Sequence, residues 1–342
     1  MAEIKPNYDT KRKKLAEIIP LAAPFTVYIE QTKYCNFKCF YCIHSTRDEA
    51  DGEFRALGHR MQHIDEGFFE KIIHDLKAFP QGGIKRIVFS GLGEPLMNPR
   101  LPDYVRMAVE AGIAGRVEVI TNGLLLTPEK SKALVEAGIT NINISVQGLD
   151  AEGYQETCGV RIDFDHYLEN LKYLYEHKGN VQIYIKAIDA TLKTKENEKK
   201  FFRIFSPFAD RIYIEHLVVM QQQMDGLREI VDGTKNFYGE ELDVNRKVCA
   251  QSFYFMQIGC EGDIFPCPVP GLGRNLSMGN AKEHTLAEIW NGSRRRGFLR
   301  KMLKKEKDQI PDCATCTCFN AINNPMEQLD DDAERLLPLF ED

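Results

Sequence analysis

The sequence predicts an α/β protein in which a parallel sheet curves into an open or partial barrel of six strand-helix units, followed by a small C-terminal domain. Apolar strand-like runs alternate with amphipathic stretches along the first two thirds of the chain, which is the pattern of a parallel sheet with helical crossovers. Its 342 residues exceed the usual size of one domain, and a hydrophobic content of 43% is enough to build a large core.

The six predicted strands are 25–30 (FTVYIE), 84–90 (IKRIVFS), 116–121 (RVEVIT), 141–147 (NINISVQ), 181–189 (VQIYIKAID) and 211–219 (RIYIEHLVV). Between them lie FFEKIIHDLKAF, LPDYVRMAVEAG, SKALVEAG and FDHYLENLKYLYEHK, with apolar residues three and four positions apart. Right-handed crossovers place the carboxyl ends of all parallel strands at one edge, where such sheets bind ligands. The loops that follow the strands are therefore the expected site.

Three cysteines, Cys35, Cys39 and Cys42, follow the first strand in the run YCNFKCFYC. Three thiolates from one tight loop leave one iron of an iron-sulfur cluster without a protein ligand, and that iron is free for chemistry. A zinc knuckle or buried structural thiols are the alternatives, although zinc usually requires four ligands. Ten cysteines favour metal over disulfides if the protein is cytoplasmic.

Glycines and polar side chains follow the other strands at the same predicted edge. A Gly-rich run or a Thr-Asn-Gly at the end of a strand is by itself an ordinary turn signal, so the shared position is what makes these residues candidates. Polar residues of the fifth and sixth strands point either into the barrel or to solvent, and the sequence leaves both open. The candidates are Gly91, Gly93, Glu94, Pro95, Thr121, Asn122, Ser145, Gln147, Lys186, Asp189, Glu215 and His216.

The C-x3-C-x2-C spacing, with the aromatic Tyr41 before the last cysteine, resembles the signature of the radical SAM enzymes. The resemblance implies a [4Fe-4S] cluster on the three cysteines and S-adenosylmethionine (SAM) bound to the open iron by its amino and carboxylate groups. It also implies reductive cleavage of SAM to methionine and a 5'-deoxyadenosyl radical, with a flavodoxin- or ferredoxin-type protein as electron donor.

The run SGLGEPLMNP is similar to the GGEP stretch of that family, with the first glycine pair split here as Gly91-Leu92-Gly93. The resemblance implies that backbone carbonyls of this run accept hydrogen bonds from the SAM ammonium group. It further implies that Ser145 and Gln147 meet the ribose hydroxyls, and that the neighbouring strand ends face the same site. The cofactor-binding set is thus Tyr41, Gly91, Gly93, Glu94, Pro95, Thr121, Asn122, Ser145, Gln147 and Lys186.

A different pattern begins after residue 219. Cys249, Gly262 and Cys267 form C-x12-G-x4-C around a predicted β-hairpin, in which FYFMQI and DIF flank CEG, and Cys313 and Cys316 form a late C-x2-C. These motifs, with MGNAKEHTLAEIWNG between them, resemble the auxiliary-cluster domains called SPASM, or twitch in the shorter form. The implied domain is a hairpin plus a helix.

A full SPASM domain has seven cysteines, whereas only Cys313, Cys316 and Cys318 follow the hairpin here. The implied assignment is one auxiliary [4Fe-4S] cluster on Cys249, Cys267, Cys313 and Cys316, with a structural zinc on the same thiolates as the alternative. The predicted organisation is an N-terminal extension 1–24, a barrel 25–219, a linker 220–248, an auxiliary-cluster domain 249–320 and a tail 321–342.

Cys158, Cys260 and Cys318 remain without an assigned role. Each is a structural thiol, a replacement ligand or a hydrogen-atom donor to a substrate radical. Cys260, in the hairpin turn, is the first candidate for the donor.

The resemblance implies hydrogen-atom abstraction from a sugar-like or other small polar substrate, ending in dehydrogenation or epimerisation. Dehydrogenation requires a base, and Glu215, His216 and Asp189 are the candidates. The stretch before residue 25 is too short for the leader-binding domain of many peptide-modifying members, which favours a small molecule. The alternatives are a peptide-modifying (RiPP) maturase, a non-catalytic iron-sulfur electron carrier and a zinc-binding protein.

The charge pattern gives no sign of a nucleic-acid or membrane partner. A net charge of −6 and a pI near 5.9 provide no general basic field. The polar N-terminus does not resemble a signal peptide, and no apolar run approaches membrane-spanning length. We therefore expect a cytoplasmic protein.

Overall fold

The computed structural model describes residues 2–7, 12–219, 227, 229, 231–243, 245–321 and 324–341. Within this part of the chain an open sheet has nine strands in the spatial order β1-β7-β6-β5-β4-β3-β2-β8-β9. All neighbouring strands are parallel except β8 and β9. The strands are β1 (Glu3–Ile4), β2 (Thr26–Ile29), β3 (Arg86–Phe89), β4 (Arg116–Thr121), β5 (Asn141–Val146), β6 (Gln182–Ile188), β7 (Arg211–Glu215), β8 (Phe255–Ile258) and β9 (Ile264–Phe265).

Helices connect consecutive strands from β2 to β8, and the longer ones cover the outer face of the sheet. The α-helices found among the described residues are α1 (Glu53–Ala56), α2 (Glu66–Lys77), α3 (Leu101–Glu110), α4 (Pro128–Glu136), α5 (Ala151–Cys158), α6 (Phe164–His177), α7 (Asp189–Leu192), α8 (Lys195–Phe205), α9 (Gln251–Tyr254), α10 (Leu286–Trp290), α11 (Ser293–Leu303), α12 (Pro311–Ala314) and α13 (Ala333–Leu336).

Side-chain caps fix where the crossover helices begin. Asp65 accepts a hydrogen bond from the Phe68 amide at the start of α2, and Thr127 accepts one from the Lys130 amide at the start of α4. Asp150, Asp163 and Thr194 do the same for α5, α6 and α8. Each cap satisfies an amide that has no partner inside the helix.

The prediction of an α/β partial barrel is confirmed, with a strand at each of the six predicted runs. The sixth strand ends at Glu215, so residues 216–219 form a loop. β1 was not predicted because two residues have no periodicity; it pairs with β7 and forms the edge of the sheet. α8 was not predicted because its first residues are a charged run; its buried face is Phe201 and Phe205.

The C-terminal hairpin continues the barrel sheet. β8 and β9 are antiparallel, as predicted, and β8 also pairs in parallel with β2, in the register Val27↔Met256. A second hydrophobic core joins Leu15 and Ile19 from the N-terminal stretch to Leu299 and Leu336. The hairpin therefore extends the barrel sheet, and the N-terminal stretch packs against the C-terminal region.

The predicted domain boundaries stay predictions. Parts of three predicted segments lie outside the described residues: 1 and 8–11 in the extension, 220–226, 228, 230 and 244 in the linker, and 322–323 and 342 in the tail. No helix in the described ranges combines the length and apolarity needed to cross a bilayer.

Candidate active site

The cysteine loop after β2 is held by backbone hydrogen bonds to the end of α5. The Lys38 amide donates to Cys158 O (2.9 Å) and the Phe40 amide to Thr157 O (3.0 Å). Cys35, Cys39 and Cys42 are each partly exposed. Burial raises the pKa of the Cys42 thiol to about 12. The thiol therefore keeps its proton at neutral pH until a metal displaces it.

Tyr41 ties the cysteine loop to the end of β5. Its hydroxyl donates a hydrogen bond of 2.5 Å to Gln147 Oε1. Burial raises the pKa of Tyr41 well above the usual range, so it remains a hydrogen-bond donor. Two residues predicted to bind the cofactor from different loops are thus in direct contact.

Gly91 and Gly93 of the SGLGEP run lie against the loop that follows β2. Any larger residue at these positions would clash with that loop. A Cβ atom on Gly93 would lie 2.3 Å from Thr32 O and 2.7 Å from Tyr34 O. One on Gly91 would lie 2.6 Å from the side chain of Glu30. The Glu94 amide also donates to Tyr34 O (2.8 Å). These glycines therefore allow two loops to pack together. The sequence analysis assigned this run only to the binding of SAM.

Glu94 holds its own loop to the end of β4. Its carboxylate accepts hydrogen bonds from Thr121 Oγ1 (2.6 Å), the Asn122 amide (2.7 Å) and the Leu96 amide (3.0 Å). Burial raises the pKa of this carboxyl group, and these three donors oppose that shift. Glu94, Thr121 and Asn122 are brought together as predicted, but their contacts are with one another.

We expect Gly93→Ala to destabilise the protein by about 1–3 kcal/mol, the usual cost of overpacking, because the new methyl group would overlap the backbone of the cysteine loop. SAM cleavage should fall with it. Gly115→Ala is the matched control, since a Cβ atom there meets nothing within 4 Å. Thermal denaturation of both variants checks this; equal melting temperatures for the two would contradict the packing argument.

A cavity of about 380 Å³ runs through the inside of the barrel, and we call it the barrel cavity. It brings eight of the predicted site residues together: Tyr41, Cys42, Gly91, Ser145, Gln147, Lys186, Glu215 and His216. The other predicted cofactor and base residues do not line it: Gly93, Glu94, Pro95, Thr121, Asn122 and Asp189. Its volume lies in the range of small-ligand sites.

Glu215 lies at the centre of a polar group on β6 and β7. Lys186 Nζ donates to its Oε2 (2.6 Å), and the Tyr184 hydroxyl donates to its Oε1 (3.1 Å). Next to it, His216 Nδ1 lies 2.5 Å from Asp189 Oδ2. Burial raises the pKa of Tyr184, which therefore stays protonated beside the carboxylate.

Sequence reasoning missed several cavity residues that lie deeper in the barrel. They occupy alternate positions on the strands, so period-two polarity inside a predicted barrel strand was the available signal. The missed residues are Tyr28, Arg86, Glu118, Asn143 and Tyr184.

Five cysteines from the C-terminal region line a second, smaller cavity, which we call the auxiliary cavity. They are Cys249, Cys267, Cys313, Cys316 and Cys318. Lys307 Nζ closes the loop around it by donating to Cys313 O (2.5 Å) and Ala314 O (3.2 Å). Five thiols around one cavity fit an iron-sulfur cluster, which needs four.

No three His, Cys, Asp or Glu side chains of the described ranges converge closely enough to surround a single ion. An iron-sulfur cluster binds each thiolate through a different iron, so it requires no such convergence.

The three cysteines without an assigned role lie in different surroundings. Cys158 Sγ donates to Tyr154 O (2.9 Å) behind the cysteine loop. Cys260 Sγ donates to Glu30 O (3.0 Å) and lines neither cavity. Cys318 and Gln251 line both cavities. Cys318 is thus the unassigned thiol that faces the barrel cavity.

Two family models match the chain. The model described as the radical SAM superfamily matches residues 29–204, just over half of the chain. The SPASM model, described as an iron-sulfur cluster-binding domain, matches residues 249–317.

The relatives that match most of the chain include the following two. The tungsten-containing aldehyde ferredoxin oxidoreductase cofactor-modifying protein of Pyrococcus furiosus is 25% identical, over 86% of this chain and 88% of its own. The PqqA peptide cyclase of Streptomyces rochei is 25% identical, over 87% and 85%. The solved structure of BtrN with AdoMet and 2-DOIA has a TM-score of 0.55 at 17% identity and covers 88% of this chain and 93% of that one, which shows a shared fold.

Proposed function

The chain belongs to the radical SAM superfamily with a SPASM-type iron-sulfur domain, and on that premise we propose that it oxidises a small polar, sugar-like molecule inside the barrel cavity. Its cofactors are a [4Fe-4S] cluster, SAM and an auxiliary iron-sulfur cluster, which when bound supply the 5'-deoxyadenosyl radical and an electron acceptor. The residues proposed to hold the two clusters are Cys35, Cys39 and Cys42, and Cys249, Cys267, Cys313 and Cys316.

One observation carries the proposal: the barrel cavity touches both cysteine regions. Cys42 lies at its wall, and Cys318 and Gln251 separate it from the auxiliary cavity. A substrate in this space would lie between the loop proposed to hold the first cluster and the cysteines proposed to hold the second. That position suits a reaction that takes a hydrogen atom from one side and an electron from the other.

In the proposed reaction a C–H bond next to a hydroxyl group loses its hydrogen atom. The resulting substrate radical then loses the hydroxyl proton and one electron, and the C–O bond becomes C=O. We propose that Glu215 receives the proton, because its carboxylate lies in the cavity between Lys186 and Tyr184. His216 is a second candidate for the base, and its ring nitrogens lie 2.5 Å from Asp189 Oδ2 and 2.8 Å from Asp232 O.

Epimerisation remains the alternative because a thiol lies at the cavity wall. Cys318 is buried to 3% exposure and faces this space, whereas Cys260 is turned toward the backbone of Glu30. We therefore propose Cys318, instead of Cys260, as the hydrogen-atom donor for epimerisation. The reductant for SAM cleavage is proposed to be a flavodoxin- or ferredoxin-type protein.

A peptide is the second candidate substrate, favoured by the similarity to PqqA peptide cyclases over most of the chain. A single side chain of a peptide would then enter the barrel cavity. A partner protein would have to supply leader recognition.

The test is anaerobic turnover with SAM and dithionite over a panel of sugars, amino sugars, cyclitols and short peptides, run in deuterated buffer. The substrate is the compound that raises 5'-deoxyadenosine above background. A dehydrogenated product is two mass units lighter and carries no solvent deuterium at the oxidised carbon. One solvent deuterium at an inverted carbon would instead establish epimerisation, and stimulation by peptides alone would establish the second candidate.

We expect Glu215→Gln to lower product formation by about 10²–10⁴-fold, the usual contribution of a positioned base. SAM cleavage should continue, because Glu215 lies outside the cysteine loop. Glu196→Gln, on the exposed face of α8, is the matched control and should behave as wild type. Equal product yields from the two variants would show that Glu215 is not the base.

A further inference from the structure

The barrel cavity extends from the strand ends down to a polar floor. Ser90 lies just after β3 and Arg86 begins it, and both line the cavity. Four residues of extended strand span about 13 Å. The floor is therefore far from the rim where the cysteine loop lies. A substrate that fills the cavity would place the end opposite its reacting carbon near Arg86.

Arg86 and Glu118 line the floor, and Arg116, which is not a lining residue, pairs with Glu118. Arg116 Nη2 donates to Glu118 Oε2 (2.9 Å), which also accepts from Asn143 Nδ2 (2.9 Å). Arg86 also pairs with Glu118 over a longer distance, with its Nη1 3.5 Å from Glu118 Oε1. One carboxylate is thus shared by two arginines. Two arginines and one carboxylate leave one net positive charge here, and Arg86 is the arginine that lines the cavity.

Higher in the cavity the charges are balanced. Lys186 and Glu215 form a close pair of 2.6 Å. This pair leaves no second excess charge to compete with Arg86 for an anion.

Donors on the floor remain available to a ligand. Arg86 Nε donates to Thr26 Oγ1 (3.1 Å), but its Nη2 makes no hydrogen bond within the described ranges. The Tyr28 hydroxyl likewise finds no partner among the described residues, and it also lines the cavity. Burial raises the pKa of Tyr28, which keeps this hydroxyl a donor. Arg86 is 32% exposed, and both side chains line the cavity, so a ligand there can reach these donors.

We propose that Arg86 and Tyr28 bind an oxyanion, the carboxylate or phosphate of the substrate, at the floor of the barrel cavity. This inference rests on the proposed function and narrows it, since the substrate class becomes a small polar molecule with an anionic group remote from its reacting carbon. Arginine suits the role because its planar fork matches the geometry of both oxyanions. Tyr28 is held in place by edge-on packing against Phe255, with ring centroids 4.6 Å apart.

The test measures binding of matched small probes to the anaerobically reconstituted holoenzyme with SAM and without reductant. Glycerol 3-phosphate and glycerate supply the phosphate and the carboxylate, and glycerol is the neutral control for both. Apparent Kd values come from the dependence of the melting temperature on probe concentration. We expect one anionic probe or both to stabilise the wild type, and glycerol to have no effect. The stronger of the two anions identifies the oxyanion.

Arg86→Gln should raise the apparent Kd of the anionic probe about 10–100-fold, because a hydrogen bond to a charged group is lost. Tyr28→Phe, which keeps the ring and its packing, should raise it about 3–10-fold. Arg106→Gln removes an exposed arginine of α3 and should leave the Kd unchanged. Iron content and the melting temperature without probe verify that each variant is folded.

Equal stabilisation by glycerol and the anions would overturn the proposal, and so would the absence of stabilisation by either anion. An unchanged Kd in folded Arg86→Gln would also overturn it. If that variant does not fold, an unchanged Kd in Tyr28→Phe has the same consequence. Formation of 5'-deoxyadenosine under dithionite is measured separately, so a failed anion site and a failed radical SAM activity give different results.

Discussion

Cys39→Ala is expected to reduce 5'-deoxyadenosine formation to background. Three cysteines are proposed to anchor the cluster that binds SAM, so loss of one leaves a site that holds iron poorly. The same outcome is expected for Cys35→Ala and Cys42→Ala. The measurement is anaerobic incubation of reconstituted protein with SAM and dithionite, with 5'-deoxyadenosine quantified by mass spectrometry.

Cys260→Ala is the matched control for this experiment. It also removes a single thiol, but Cys260 is buried in the turn between β8 and β9, outside the cysteine loop. SAM cleavage should therefore continue in this variant. If Cys39→Ala still formed 5'-deoxyadenosine at near the wild-type rate, the assignment of the cysteine loop would be wrong.

The second large effect is expected in iron content. Wild-type protein with two four-iron clusters binds about eight irons per chain, and the Cys35/Cys39/Cys42→Ala triple variant should retain about four. The reason is that the auxiliary cavity is built from separate residues of the C-terminal region. Iron and acid-labile sulfide analysis of the anaerobic protein gives the count.

The matched variant is Cys249/Cys267/Cys313→Ala, which should also retain about four irons and should still cleave SAM. Cys318→Ala tests the fifth thiol, and we expect it to keep about eight irons because four other cysteines line the same cavity. A cysteine-loop triple variant that contained one zinc and no iron would eliminate the auxiliary cluster as an electron acceptor. Loss of four irons from Cys318→Ala would place Cys318 among the ligands.

Much of the barrel was predictable because its signals are local. A strand of the partial barrel is a short apolar run between amphipathic stretches, and each of the six runs became a strand. β1 and α8 escaped prediction for the opposite reason: the first has two residues, and the second begins with a charged run whose apolar side is only Phe201 and Phe205. Their positions depend on what they pack against.

The sequence by itself determined where the chemistry is concentrated. Cysteine spacing after a strand and glycines after the next strand are set by neighbours in the chain. Parallel topology then places strand ends at one edge, which is why Tyr41, Ser145, Lys186 and Glu215 line one cavity.

Only the tertiary structure decided which side chains face the cavity and which support it. Glu94 is turned toward the end of β4, and Cys260 toward the backbone of Glu30, while Cys318 lies between the two cavities. Arg86 and Tyr28 became candidates only when the structure showed that they line the barrel cavity. The physical reason is that spacing along the chain constrains a residue's local element, whereas its partners come from segments up to hundreds of residues away.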